Sequence, residues 1–338
     1  MKRLLSMALG VLVSAVLLVY VCYSVDWDAF LGNLRNIRWL YVPLLLFLSA
    51  LSLYIRGLRW QHLLPTGLAL SPMRLTQATT VGFFATMVLP LRAGEFIRPW
   101  FLTRIENVTF STALASIIVE RVFDVLALVL LLALCLGQIE QAPPLVLAGA
   151  KALLGIALAI SVLMILSYFH ADAIAHLMRR TVEAVCGTKH PNLAGTVHRI
   201  ASEFLSGLRA VSSFKELFLV ICWSLVLWLE MAAFYQIAVW AFNHFPSWWV
   251  GITTNVMVAL AVAAPSAPGF IGTFEAGCKV ALSTIFGYPQ EFALAYAILT
   301  HTLHLLLTCV LGAVVLSIHG LSLRDMRTRP DGQRSLPE

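Results

Sequence analysis

The sequence predicts an all-α, polytopic membrane helix bundle, and three observations support this fold class. The 338 residues are 60% hydrophobic and only 12% charged, with a mean hydropathy of +0.86, whereas soluble domains are about 45–50% apolar and about 25% charged. Apolar runs of membrane-spanning length recur along the whole chain. Proline, glycine and charged residues interrupt two further runs. We therefore expect about six full spans and two broken re-entrant helical hairpins, or about eight spans by a simple count.

The predicted full spans are the uninterrupted apolar runs of the chain. They cover residues 4–21, 39–55, 113–136, 145–169, 217–241 and 292–318. The first run follows Lys2 and Arg3, but no cleavage site of small residues comes after it, so we expect an uncleaved span. These runs predict one transmembrane domain over residues 1–320.

Two polar segments accompany this domain. Residues 170–216 contain Ile200, Phe204 and Leu208 at helical spacing, which predicts a cytoplasmic amphipathic connector. Residues 321–338 are polar and basic, which predicts a disordered cytoplasmic tail.

The two broken segments carry helix-breaking residues inside otherwise apolar sequence. The predicted breaks are Pro90 and Gly94 in the first segment, and Pro265, Pro268 and Gly272 in the second. The run over residues 76–91 would form a helix of about 24 Å, which is short of the hydrocarbon core of about 30 Å. Opposed broken helices that meet near the midplane form substrate sites in many transporters. Full crossing by both members of each pair is the alternative.

The distribution of positive charge favours the hairpin arrangement. If each broken pair enters and leaves on the same side, most of the 23 lysines and arginines fall on one face of the membrane. Such an excess marks the cytoplasmic side. We therefore expect both termini to be cytoplasmic, in the inner membrane of the cell.

Several other classes of site are not indicated. The calculated pI near 9.1 follows from the positive cytoplasmic loops, so no nucleic-acid partner is expected. The six cysteines stand singly, without a C-x-x-C pair, which indicates neither a disulfide framework nor a zinc site. His301 and His304 lack a third ligand at suitable spacing, so packed histidines are favoured over a metal site. No metal or cofactor is predicted, and the oligomeric state is not indicated.

Three short motifs resemble the signatures of the lysylphosphatidylglycerol synthase transmembrane-region family, also called flippase-like proteins. They are RAGEFIRP over residues 92–99, ERVFD over residues 120–124 and PGFIGTFE over residues 268–275. The resemblance covers nearly the whole chain in matching order. It implies lipid handling in the bilayer. Family members that also make lysyl-lipid carry a soluble aminoacyltransferase domain after the membrane region, so synthesis is not implied here.

The charged residues of these motifs are the candidate substrate-binding and translocation residues, because charge within a membrane is expensive. Arginine binds oxyanions bidentately and suits a lipid phosphate, whereas carboxylates suit an ammonium group, sugar hydroxyls or a coupling proton. The candidates are Arg92, Glu95, Arg98, Glu120, Arg121, Asp124, Gly269 and Glu275. Alternatively, these charges neutralise one another, and Glu275 pairs with Lys279 four residues away. Glu230 lies in mid-span outside the motifs and needs a partner.

Three alternative functions are consistent with this sequence. The first is a lipid flippase or transporter that takes a membrane phospholipid, glycolipid or isoprenoid-type lipid as its substrate. The second is a membrane-embedded glycosyl or phosphoryl transferase that uses Glu95, Glu120 or Asp124 as a base. Against it stands the absence of a recognisable nucleophile or phosphate-loop motif. The third is an accessory subunit that partners a lipid-biosynthesis enzyme.

Overall fold

The computed structural model describes residues 2–136, apart from positions 24, 66, 67, 69 and 91, and residues 213–322, together with positions 148, 155 and 325. These residues form ten α-helices and no strand, which confirms the all-α prediction. The helices are α1 (Lys2–Cys22), α2 (Trp27–Arg35), α3 (Val42–Gln61), α4 (Pro72–Val88), α5 (Gly94–Ile105), α6 (Phe110–Leu136), α7 (Phe214–Trp240), α8 (Trp249–Ala263), α9 (Thr273–Lys279) and α10 (Gln290–Ile318). The predicted span over residues 145–169, nearly all of the connector over 170–216 and most of the tail lie outside the described residues.

Three of these helices are long and apolar enough to cross a membrane. They are α7, α10 and α3 with the turn before it, Trp39–Gln61, while α1 and α2 together make a fourth candidate with a bend of 88°. The helix α6 has 27 residues, or about 40 Å, but carries three charged side chains near its middle. The chain is therefore a multi-pass membrane protein.

A short helix, α2, lies between the first two predicted spans. Asp26 caps this helix, because its carboxylate accepts hydrogen bonds from the backbone N–H groups of Asp28 and Ala29 at 2.9 and 3.2 Å. The predicted spans, residues 4–21 and 39–55, did not include this helix.

The long helices define two ends of the bundle. At the near end, the His62 ring lies 2.7 Å from the Glu216 carboxylate, which places the C-terminus of α3 beside the N-terminus of α7. At the far end, the Arg38 N–H donates to the Ala241 carbonyl at 2.8 Å, and the rings of Phe242 and Phe292 lie 5.4 Å apart. The C-terminus of α10 also lies at the near end, where the His319 ring is 3.1 Å from the Gln77 side chain and 5.3 Å from the Phe101 ring.

Two broken hairpins enter the bundle from opposite ends, as predicted. The first consists of α4 and α5 and returns to the near end, where Arg74 and Glu106 form an ion pair of 3.6 Å. The second consists of α8, α9 and a π-helix over Val280–Ile285, and returns to the far end. With 17 and 15 residues, α4 and α8 span about 25 and 22 Å, which is less than the hydrocarbon core.

The turns of the two hairpins meet inside the bundle. The guanidinium of Arg92, in the first turn, donates to the Val262 carbonyl at the end of α8 and lies 5.6 Å from the Phe270 ring. Both Arg92 and Phe270 have positive φ angles, 52° and 60°, which are rare for residues other than glycine. Such strain is concentrated at functional sites. The contact between the turns is therefore a candidate location for a functional site.

The predicted breaks fall in these turns, with one exception. Pro90 lies in the turn between α4 and α5, and Pro265, Pro268 and Gly272 lie in the turn between α8 and α9. Gly94 instead begins α5 and is buried. A Cβ atom at Gly94 would overlap the Gly82 carbonyl oxygen on α4. Gly94 is therefore required for the close approach of two helices rather than for breaking one.

Candidate functional site

A buried cluster of charged side chains joins α3, α5 and α6; we call Arg59, Arg98, Glu120, Arg121 and Asp124 the charge cluster. Glu120 is fully buried and meets three arginines. Arg59 contacts it at 3.0 Å, Arg98 spans both carboxylate oxygens at 3.0 and 2.9 Å, and Arg121 contacts it at 2.6 Å. Three cations therefore surround one buried carboxylate.

Asp124 is the second carboxylate of the charge cluster. Its Oδ1 accepts from Arg59 at 2.6 Å and from the Trp228 indole at 3.4 Å, and its Oδ2 lies 3.3 Å from Arg121. Asp124 lies one helical turn after Glu120, so both carboxylates share one face of α6. The charge cluster contains three arginines and two carboxylates, which gives it an excess of positive charge.

Trp60 supports the charge cluster from α3. Its ring lies 3.9 Å from the Arg98 guanidinium carbon, and its indole N–H donates to the Ser116 hydroxyl at 2.7 Å. Tryptophans near the ends of apolar runs are often interfacial anchors, but Trp60 and Trp100 are both buried. Trp39 and Trp248, at the far end, are exposed as anchors would be.

A cavity of about 410 Å³ lies between the charge cluster and the meeting point of the two hairpins. It is mostly apolar and is bounded by α3 to α10. Its exposed wall residues are Glu95 and Ala263, which places its opening there. The charged and titratable side chains in its wall are Arg56, Arg92, Glu95, Arg98, Arg121, Asp124, Glu230, Tyr235, His301 and His304.

Two buried charged side chains in this wall form no ion pair with another described residue, whereas Arg92 donates to a backbone carbonyl and Glu95 is exposed. Arg56 is 9% exposed, and its contacts among the described residues are the Met231 sulfur, at 3.3 Å, and the Phe83 ring, at 4.9 Å. Both carboxylate oxygens of Glu230 are buried without a hydrogen-bond donor among the described residues. Unpartnered buried charge is costly. A cavity lined by both signs of such charge suits a ligand that carries complementary polar groups.

Glu275 lies behind the cavity wall rather than in it. Its Oε1 is 2.6 Å from the His301 Nδ1, and its Oε2 accepts from the Gly272 N–H at 2.6 Å. The alternative of a pair with Lys279 was wrong, because the Lys279 ammonium donates to the Tyr20 carbonyl at 2.7 Å at the end of α1. Glu275 therefore connects the second hairpin to α10.

The structure brings most of the predicted site residues to one place. In the cavity wall lie Arg92, Glu95, Arg98, Arg121 and Asp124, while Glu120, Gly269 and Glu275 lie directly behind it. A substrate-binding role for each of them stays a prediction. In the described parts of the chain, no three histidine, cysteine or carboxylate side chains come together as metal ligands.

The sequence reasoning missed Arg56 and Arg59. The second span was predicted to end at residue 55, and the arginines after it were counted as loop charge, but α3 continues to Gln61. A signal was present, because Ser49, Ser52, Arg56 and Arg59 recur at steps of three and four residues. That spacing puts four polar side chains on one face of an otherwise apolar helix, and all four are buried.

Comparison with known proteins agrees with the sequence motifs. The profile of a family described as the lysylphosphatidylglycerol synthase TM region matches residues 7–312. A curated relative, the glycosyltransferase AglD of Haloferax volcanii, is 23% identical over an alignment of 335 positions, which covers 92% of this chain and 54% of the relative. The chain thus spans about half the length of the curated relative it matches. No solved structure matches the chain.

Proposed function

Since the chain belongs to the lysylphosphatidylglycerol synthase transmembrane-region family, we propose that it moves a phosphate-bearing lipid between the leaflets of the cell inner membrane, with both termini cytoplasmic. One observation carries the proposal: two hairpins from opposite ends meet beside a cavity that holds unpartnered charges of both signs. Head-group charge is the part of a lipid that cannot cross hydrocarbon unaided. The acyl chains need no such cavity.

Arg56 and Arg121 are the proposed phosphate-binding residues. Arg98 is buried against Glu120, and the Arg92 guanidinium donates to the Val262 carbonyl. Arg56 has no carboxylate partner within ion-pair distance among the described residues, and Arg121 contacts Glu120 and Asp124 but keeps 42% of its side chain exposed at the cavity. Guanidinium groups bind phosphate oxygens bidentately. This assignment replaces Arg92 and Arg98 in the earlier expectation.

Glu230 and Glu95 are the proposed partners for the remainder of the head group. Glu230 has both oxygens free of donors inside the cavity wall, and Glu95 is exposed at its opening. An ammonium group or sugar hydroxyls would donate to these carboxylates. In this proposal the membrane lipid is the substrate. A lipid-biosynthesis enzyme would be a partner only if the chain were an accessory subunit.

Replacing Arg56 with glutamine is expected to slow lipid movement at least about tenfold, because a hydrogen bond to a charged group contributes about 1.5–3 kcal/mol. The measurement uses the purified chain in liposomes that contain head-group-labelled lipids of several classes, with and without a phosphate. A matched control is Arg74→Gln. Arg74 is an arginine at the near end whose side chain is 46% exposed and which pairs with Glu106 outside the cavity.

Selective movement of phosphate-bearing lipids by the wild type and the Arg74 variant, but not by the Arg56 variant, is the expected result. Equal rates of lipid movement for all three proteins would show that Arg56 takes no part in lipid movement. If the wild type moves no lipid of any class, transport itself is rejected.

A second candidate function is a membrane-embedded transferase that acts on a lipid-linked substrate. The observation in its favour is that the matched relative is named a glycosyltransferase and aligns with 92% of this chain. The same liposomes, supplied with a lipid-linked sugar and analysed by mass spectrometry, distinguish the two functions. A chemically altered lipid favours the transferase, whereas an unchanged lipid that has crossed the bilayer favours the transporter.

A further inference from the structure

The contacts of His301 fix how many protons this side chain shares with Glu275. Its Nε2 lies 2.8 Å from the Gly269 carbonyl oxygen, and its Nδ1 lies 2.6 Å from a carboxylate oxygen of Glu275. A backbone carbonyl only accepts hydrogen bonds, so Nε2 must carry a hydrogen. A second hydrogen must lie between Nδ1 and the carboxylate, because two lone pairs would otherwise face each other.

The pair therefore holds one proton more than a neutral imidazole and an ionised carboxylate would hold. Whether that proton resides on Nδ1 or on Glu275, the count is the same. The other carboxylate oxygen of Glu275 accepts from the Gly272 N–H at 2.6 Å, so it does not need the proton. The pair is buried, with side-chain exposures of 7% for His301 and 9% for Glu275.

We propose that Glu275 and His301 form a proton-binding site that fastens the turn of the second hairpin to α10. Resting on the proposed function, we further infer that release of this proton accompanies lipid movement. The site joins Gly269 and Gly272 of the turn to Glu275 in the first helical turn of α9 and to His301 of α10. It also adjoins the lipid cavity, since His301 and the stacked Phe274 ring, 4.3 Å away, both line that cavity.

Few other described titratable groups lie close enough to His301 and Glu275 to exchange a proton with them. The titratable groups that face it are Tyr235 from α7, Cys278 from α9 and His304 from α10. Across the cavity lie the cations Arg56 of α3 and Arg92 of the first turn. The helix α8 contains no titratable residue. None of these groups is within hydrogen-bonding distance of His301 among the described residues, so Glu275 is its acidic partner.

Loss of the proton converts one of the two contacts into a repulsive one. A neutral imidazole has one N–H group, which can face either the Gly269 carbonyl or the carboxylate, and its bare nitrogen then faces the other acceptor. The turn carries positive φ angles at Gly269, Phe270 and Gly272, a conformation that the surrounding contacts must maintain. We therefore expect the turn to loosen as the pH rises and the proton leaves.

Glu275→Gln provides a proton-independent version of the same contacts. The amide oxygen can accept from the Gly272 N–H, and the amide NH₂ can donate to the bare Nδ1 of a neutral His301. This variant should keep the turn fastened at every pH and should fold, because all three hydrogen bonds survive. His319→Gln is the matched control, since it removes a histidine at the near end of α10, far from the turn.

The first measurement is hydrogen–deuterium exchange of the peptide that covers residues 264–276, with wild type and variant compared at the same pH. Under mildly acidic conditions the two proteins should exchange equally. Under mildly alkaline conditions the wild type and His319→Gln should exchange at least about tenfold faster than Glu275→Gln, because one charged hydrogen bond is lost. The second measurement repeats the liposome assay over the same pH range, in which the rate should depend on pH for the wild type but not for Glu275→Gln.

Each result has a distinct meaning. Equal exchange by the wild type and Glu275→Gln at every pH overturns the proton-binding site. A difference in exchange without pH-dependent lipid movement supports the site and overturns its coupling to transport. A difference in exchange with no lipid movement by any protein supports the site and rejects the proposed function instead.

Discussion

Replacing Glu120 with alanine is expected to lower the free energy of unfolding by about 3–5 kcal/mol, because removing one partner of a buried ion pair leaves uncompensated charge. Glu120 is fully buried and is the carboxylate that Arg98 contacts with both nitrogens. Without it, Arg59, Arg98 and Arg121 would share only Asp124. Denaturant titration in mixed micelles, followed by tryptophan fluorescence, measures this loss.

The matched control is Glu95→Ala, which removes a carboxylate of the same length that is exposed and has no ion-pair partner among the described residues. Its expected effect is within about 0.5 kcal/mol. The double variant Glu120→Ala, Arg98→Ala should recover part of the loss, since it also removes a buried cation. Equal destabilisation by Glu95→Ala and Glu120→Ala would show that the charge cluster is not what stabilises the bundle.

Replacing Gly94 with alanine is expected to destabilise the protein by about 1–3 kcal/mol or more, because the added methyl group overpacks a filled interface. A Cβ atom there would overlap the Gly82 carbonyl oxygen and the Thr86 hydroxyl on α4. Gly82, Thr86, Gly94 and Arg98 also line the cavity. Separation of α4 and α5 should therefore slow lipid movement as well as lower stability.

Gly32→Ala is the control for this substitution. Gly32 lies within α2, and a Cβ atom there would meet no atom within 4 Å. Alanine is favoured over glycine in a helix by up to about 1 kcal/mol, so this variant should be unchanged or slightly stabilised. A neutral Gly94→Ala would mean that the first hairpin can open without loss, and its close packing would then have no role in the site.

The hairpins could be predicted from the sequence because their causes are local. Proline and glycine residues interrupt runs that are too short to cross the hydrocarbon core, and the asymmetry of lysine and arginine selects hairpins over full crossings. The meeting of the two turns could not be derived in the same way. The contact between Arg92 and the Val262 carbonyl joins residues 170 positions apart.

The pairing of charges was the least predictable part of the site. Arg59 meets Asp124 across 65 positions, and His301 meets Glu275 across 26. Sequence spacing instead suggested Lys279 for Glu275, since i,i+4 neighbours share a helix face. In the structure Lys279 does not pair with Glu275, because the Lys279 ammonium lies beside the carbonyls of Tyr20 and Val21 at the end of α1.

The charge cluster also has a consequence for the order in which the chain is made. Arg59 belongs to α3, whereas both carboxylates that it contacts belong to α6. During synthesis, Arg59 therefore enters the membrane about sixty residues before its counter-charges exist. An arginine at the centre of a membrane helix costs about 2.5–3.5 kcal/mol on insertion scales, but Arg59 lies in the last turn of α3, from where its long side chain can reach the interface. The nascent α3 can therefore insert before α6 exists, and Arg59 leaves the interface for its two carboxylate partners only when α6 arrives.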